Sequence, residues 1–196
     1  FTASDIQERG YDDISELLGS ISSINISTTG GIGQSTSVFM RGTESNHTKI
    51  IFNGVELNPG TLGLAPIQNI SISSIDKIEI IKGSSSALHG ANTIGGIINI
   101  TSKKDASSIQ MSTGSWSSNK TSIVHGFNKN GFRMKISASR NESKSIPTKI
   151  TSSKRHSHNT NNVALGISKE INNYVFMSQF YTSTGNTQYD NFGSNI

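Results

Sequence analysis

Residues 75–103 read IDKIEIIKGSSSALHGANTIGGIINITSK. Ile75, Ile78, Ile80 and Ile81 form a β-branched run that predicts a strand. Ile97, Ile98, Ile100 and Thr101 predict a second, buried strand. Between them, Gly83 to Gly96 is a loop rich in glycine and serine, with a brief helical turn predicted at Ser85–His89. Two apolar strands flanking small residues predict a compact core in which backbones approach closely.

Upstream, Asp12 or Asp13 can cap a helix over Ile14–Leu18, with Gly19 at its end. Asp5–Gly10 is polar and carries no predicted element. Ile21, Ile24 and Ile26 predict a weak strand. Ser37–Gly42 and Lys49–Gly54 are strand-like, and Asn53-Gly54 is a strong turn dipeptide. Val55–Gly63 then predicts an exposed loop bent at Pro59-Gly60.

After Lys104 the apolar residues thin out and alternate. Phe132, Met134, Ile136 and Ala138 fall on one face, and Arg133, Lys135, Ser137 and Ser139 on the other. The same period of two runs through Ile109/Met111, Thr121/Ile123/His125/Phe127, Val163/Leu165/Ile167 and Tyr174/Phe176/Phe180. Strands with one apolar face suit a membrane barrel. The links alternate in length. Ser115–Ser118, Asn128–Asn130 and Ile171–Asn173 are tight, whereas Asn141–Asn159 is long and polar. Barrels alternate short periplasmic turns with longer outer loops, which places Asn141–Asn159 outside. Five strands cannot close a barrel, so the expectation is a fragment.

The composition agrees. Hydrophobic residues make up 32% of the 196, low against the roughly 45–50% apolar usual for soluble globules once glycine is included, and charge is only 15%. There is no cysteine, which excludes disulfides and thiolate metal sites. The net charge of +4 is scattered, without a basic stripe interleaved with aromatics, so nucleic acid is not a predicted partner. Gly30, Gly31 and Gly33 miss the spacing of a phosphate-binding loop. No G-x-S-x-G or paired carboxylate is present, and no enzyme or cofactor is predicted. His156 and His158 could share a metal, but with no third ligand nearby the expectation is solvated loop residues.

The run Ile78, Glu79, Lys82, Gly83, then Gly90, Gly95, Gly96, then Ile98, Asn99, Ile100, Thr101 resembles the end of the plug domain of TonB-dependent outer-membrane receptors. Ser84 and His89 depart from it, standing where that family has Pro and Tyr. The resemblance extends over Asp12–Lys104. It implies an α+β plug domain with a small mixed sheet, followed by the first antiparallel strands of a transmembrane β-barrel. Residues 1–104 would be the plug, truncated at its N-terminus, and 105–196 about five barrel strands. It also makes Ser37–Gly42 and Lys49–Gly54 a hairpin-like unit.

The stretches GGIGQSTSVFMRGTESNH and NGVELN are most similar to the cobalamin receptor branch. That similarity implies import of cobalamin, with ligand contacts at Ser35, Ser37, Glu44, Leu62 and Gly63. A ferric-siderophore receptor of the same family is the alternative. It further implies the outer membrane of a Gram-negative bacterium, contact with its lipid, and coupling to TonB. Arg41 and Lys82 would lock the plug to acidic groups on the barrel wall. Asp190 matches one calcium-ligand position of that branch, but one carboxylate cannot hold calcium. Readings outside transport are a surface-binding or adhesion protein and a decayed receptor remnant.

Overall fold

The computed structural model describes residues 1–11, 13–30, 33–83, 90, 93–103, 107–144 and 156–188. They divide into two compact units. One comprises 1–29 and 35–103; the other comprises 30–34 and the chain from 104 onward.

The first unit opens with two short helices. Helix α1 (Ala3–Arg9) begins in a capping box: the Thr2 hydroxyl accepts the Asp5 N–H, and the Asp5 carboxylate accepts the Thr2 N–H. It ends at Gly10 in the left-handed conformation. No element is expected here from the sequence pattern. The T-x-x-D spacing and the following glycine were the available signals, but only Ile6 is buried on this helix, so its apolar period is faint. Helix α2 (Ile14–Gly19) starts at Asp13, whose carboxylate accepts the Glu16 N–H at 2.9 Å. Ile14, Leu17 and Leu18 on it are fully buried.

Two sheets follow. Among the described residues, strands β1 (Ile24–Thr28) and β2 (Thr36–Met40) pair antiparallel as a two-stranded sheet. Strands β3 (Thr48–Phe52), β4 (Val55–Glu56), β5 (Ile75–Lys82) and β6 (Gly96–Ser102) form a sheet in the order β4-β3-β6-β5. In it β3 and β6 run parallel, and the other neighbours antiparallel. The sheet is therefore mixed, as expected. The hairpin-like pairing expected for Ser37–Gly42 with Lys49–Gly54 is not formed. The alternation of β2 (Val38 and Met40 inward) matches β1, while β3 is buried on both faces and takes its place inside the sheet. Asn53 and Gly54, both at positive φ, close the β3–β4 hairpin. Ile14, Leu17, Leu18, Ile24, Val38, Met40, Ile50, Ile67, Ile75, Ile78, Ile98 and Ile100 share one core.

The second unit is an antiparallel meander. Strands β7 (Ser108–Gly114), β8 (Ser118–Lys129), β9 (Phe132–Lys144), β10 (Ser157–Ile171) and β11 (Tyr174–Thr187) pair each with the next. Asn130-Gly131, at φ 50° and 71°, makes a two-residue hairpin between Lys129 and Phe132. The predicted strands all form. The long link is shorter than expected, because β9 continues to Lys144 and β10 starts at Ser157. Polar residues extend these strands since their backbones stay paired, Lys144 with Ser157. The predicted turn at Ser85–His89 lies outside the described residues.

The meander buries the wrong face for a water-soluble sheet. The register aligns Ile109, Ile123, Ala138 and Val163 in one row, His125, Ile136, Leu165 and Phe180 in another, and Phe127, Met134 and Ile167 in a third. Ile109, Ile123, Phe127, Ile136, Val163, Ile167 and Phe180 on this face are exposed. On the opposite face Ser122, Val124, Ser143, His158, Thr160 and Asn162 are buried. Only Val124 among those six is apolar.

Candidate functional site

Two clusters in the first unit gather most of the residues singled out in the sequence. The first lies where β2, the 45–47 turn and the 57–63 loop meet. The Val38 N–H, next to Ser37, donates to Ser45 Oγ at 3.0 Å. Asn46, one residue on, packs on Gly63: a Cβ added at Gly63 would stand 2.7 Å from the Asn46 Cβ. Gly63 sits at φ +67°, which a side chain would strain further. Asn58 ties the loop down. Its amide donates to the carbonyls of Thr48 at 3.0 Å and Gly63 at 2.7 Å, and its Oδ1 accepts the Ile50 N–H at 2.7 Å.

Folding therefore brings the Ser37–Val38 backbone, the turn after Glu44, and Gly63 into one chain of contacts, although they come from separate links. Glu44 is exposed. Leu62, at 75% exposure, stands in solvent beside Gly63. Ser35 is not part of that chain; its carbonyl accepts the Thr29 N–H at 3.1 Å, at the end of β1. Asn58 was missed in the sequence. Its signal was slight: an Asn before Pro59 reads as ordinary turn chemistry, and its three partners are known only once the loop folds back on β3.

The second cluster is basic. Met40-Arg41-Gly42-Thr43 is a tight turn with Arg41 at φ 55° and Gly42 at φ 78°, closed by Thr43 N–H to the Met40 carbonyl at 3.1 Å. A left-handed arginine costs roughly 1–2 kcal/mol against its ordinary conformation. Gly95 and Gly96 let the turn sit there. A Cβ on Gly95 would overlap Thr43 Oγ1 and come within 3.2 Å of the Met40 carbonyl, and one on Gly96 would overlap the Met40 sulfur and the Ile81 carbonyl. The Gly95-Gly96 pair in the opening stretch is thus a contact surface for the turn that carries Arg41. The Arg41 guanidinium reaches Gly83, whose added Cβ would lie 3.2 Å from Nη1. Lys82 precedes Gly83 directly, so the Arg41 guanidinium lies against the residue that follows Lys82 in the chain. Both are exposed, and among the described residues neither has a carboxylate within ion-pair distance.

His156 and His158 are both 5% exposed, which corrects the expectation of solvated loop residues. The strand β10 reaches back to Ser157 and turns His158 onto the buried polar face. Among the described residues no group of three or more metal-ligating side chains gathers. Asp190 lies outside the described residues.

Residues 1–97 match the family model of the TonB-dependent Receptor Plug Domain. The first half of the chain is a plug domain of that kind, with a mixed sheet, and the antiparallel meander follows it as the leading strands of such a barrel do. Among solved structures, the siderophore receptor PirA from Acinetobacter baumannii is similar at 16% identity and a TM-score of 0.71, over 96% of this chain and 31% of that one. The pyoverdine outer membrane receptor FpvA from Pseudomonas aeruginosa is similar at 15% identity and a TM-score of 0.74, over 95% of this chain and 27% of that one. The copper transporter OprC is similar at 15% identity and 0.73, over 91% and 28%. This chain spans about a third of the length of these receptors. The matched domain and the similar structures belong to receptors and transporters.

Proposed function

We propose that this chain is the plug and leading barrel strands, about 1–104 and 105–196, of a TonB-dependent outer-membrane importer of a large metal chelate. One observation carries the reading: a plug domain is followed by a meander in which Ile109, Ile123, Ile136, Val163 and Phe180 of one face stand exposed while Ser122, Ser143, His158, Thr160 and Asn162 of the other are buried. Lipid on one side and a polar lumen on the other satisfy that sheet; water on both sides does not. The ligand falls to a ferric siderophore ahead of cobalamin, because similar structures include two siderophore receptors and a copper transporter. Cobalamin stays as the second reading on the resemblance of GGIGQSTSVFMRGTESNH and NGVELN.

Ligand contact is proposed at Ser35, Ser37, Glu44, Leu62 and Gly63. Small polar groups beside one apolar tip suit a large ligand held by many modest contacts. Arg41 and Lys82 are proposed to hold the plug against carboxylates of the complete barrel, and TonB to supply the pull for import. The test is binding to the full-length receptor, using ferric enterobactin, ferric pyoverdine and cyanocobalamin in parallel. Tight binding of a ferric siderophore is expected. Cyanocobalamin binding alone would move the ligand assignment, and binding of none would favour an adhesion protein or a receptor remnant.

A further inference from the structure

The loop between β1 and β2 belongs, at Gly30–Gln34, to the same compact unit as the meander. It is held there by a set of contacts around one imidazole. His158, buried on the polar face of β10, packs directly against Gly33: a Cβ on Gly33 would overlap ring atoms Cε1 and Nδ1. Gly33 is at φ +79°. Both ring nitrogens are engaged, Nδ1 with Thr187 Oγ1 at 2.8 Å and Nε2 with Thr160 Oγ1 at 2.8 Å. The Thr187 hydroxyl donates to the Gly33 carbonyl at 3.4 Å, leaving its oxygen to accept from Nδ1–H; Thr160 then donates to the Nε2 lone pair. Beside this, Gln34 Nε2 donates to the Gln188 carbonyl at 3.2 Å, and the Gln188 side chain accepts the Ser157 N–H at 3.3 Å.

A buried leucine or phenylalanine would fill this space with no polar group to satisfy. A histidine bonded at both nitrogens does something else. It fixes the plane of the ring, and a fixed plane defines where the turn above it rests. Only glycine can rest there. The turn then leads within two to four residues to Ser35 and Ser37.

We propose that His158 is a positioning residue: it seats the Gly33–Gln34 turn on β10 and β11 and thereby presents the Ser35–Ser37 segment to ligand. The inference rests on the ligand reading above for its last step, and on the contacts alone for the seat.

The test places a nitroxide spin label at Thr29→Cys, an exposed position just before the loop, in the full-length receptor on a background without other cysteines. His158→Ala and Gly33→Ala should each raise the label's mobility. The double variant should be no more mobile than His158→Ala, since both changes break one contact. Thr187→Val keeps the ring and removes its Nδ1 partner, and should move the label less in the same direction; it serves if His158→Ala does not fold. Unchanged mobility, or additive effects in the double variant, overturns the seat. The same variants, compared as folded receptor, should weaken binding of whichever of ferric enterobactin, ferric pyoverdine or cyanocobalamin the wild type binds, by about tenfold. Equal binding by wild type and His158→Ala overturns the positioning role and leaves the receptor reading standing. Binding of none of ferric enterobactin, ferric pyoverdine and cyanocobalamin by the wild type overturns the receptor reading and the ligand role with it, while the label still decides the seat.

Discussion

Ile98 and Ile136 are both β-branched residues in the middle of a paired strand, yet Ile98 is fully buried and Ile136 is 46% exposed. The difference runs through both units. In the first, apolar side chains from α2, β1, β2, β3, β5 and β6 point at one another, and stability follows from taking them out of water. In the second, apolar side chains point away from the protein in registered rows, while serine, threonine, asparagine and histidine are buried behind them. One unit is built for water and carries its own oil. The other sets its apolar rows toward an apolar solvent, and the backbones between those rows are satisfied strand to strand. Apolar content alone does not say which way a strand faces; the surroundings it must satisfy do.

The comparison can be broken at its strongest point by truncating the core. Ile98→Ala should cost about 2–5 kcal/mol, because it opens a hole in a fully enclosed site. Hydrogen exchange at the β3 and β6 amides of the full-length receptor would show it, and protection unchanged from wild type would mean the core is not where it is drawn. The mirror experiment is on the exposed face. Ile136→Lys should cost about 2–4 kcal/mol in a bilayer, where the ammonium would meet lipid. On a water-facing sheet the same change should fall within about 0.5 kcal/mol. Reversible folding into vesicles measures it, and a negligible cost there would sink the membrane reading of the meander.

Smaller effects sharpen the picture within the first unit. Asp13→Ala removes the cap of α2 and should destabilise by about 1 kcal/mol, measured by denaturant unfolding. The smallest effect is in α1. The Thr2 N–H and hydroxyl hold the Asp5 carboxyl below its ordinary range. The sign follows from a depressed folded value: the contribution is present above the ordinary carboxylate pKa and is lost as pH falls through the lowered one. Exchange at the Thr2 and Asp5 amides should therefore quicken only on strong acidification, with no change around neutral pH.

Much of the fold was legible because local rules and tertiary demands agree. The Ile75–Lys82 and Gly96–Ser102 strands, the Asp13 cap, the Asn53-Gly54 hairpin and the alternation at Phe132–Ala138 each have one cheap local solution, and the chain adopts it. Helix α1 was missed because one buried isoleucine makes no visible stripe. The partner of β2 was missed because strand pairing is a long-range choice, and alternation does not name a neighbour. The histidines were misread because a polar strand end has the composition of a loop.

By itself, then, the sequence determined element types, the change of period after Lys104, and the apolar side of each meander strand. These follow from backbone sterics and from the two- and 3.6-residue repeats, which act over a few residues. Tertiary structure alone decided that Gly95 and Gly96 lie against the Arg41 turn, that Asn58 joins Thr48 to Gly63, that the Arg41 guanidinium reaches Gly83, and that Gly33 rests on His158. Each of these joins residues far apart in the chain through contacts a few ångströms long. No local propensity encodes them, because their energy exists only once the whole backbone has brought both partners to one place.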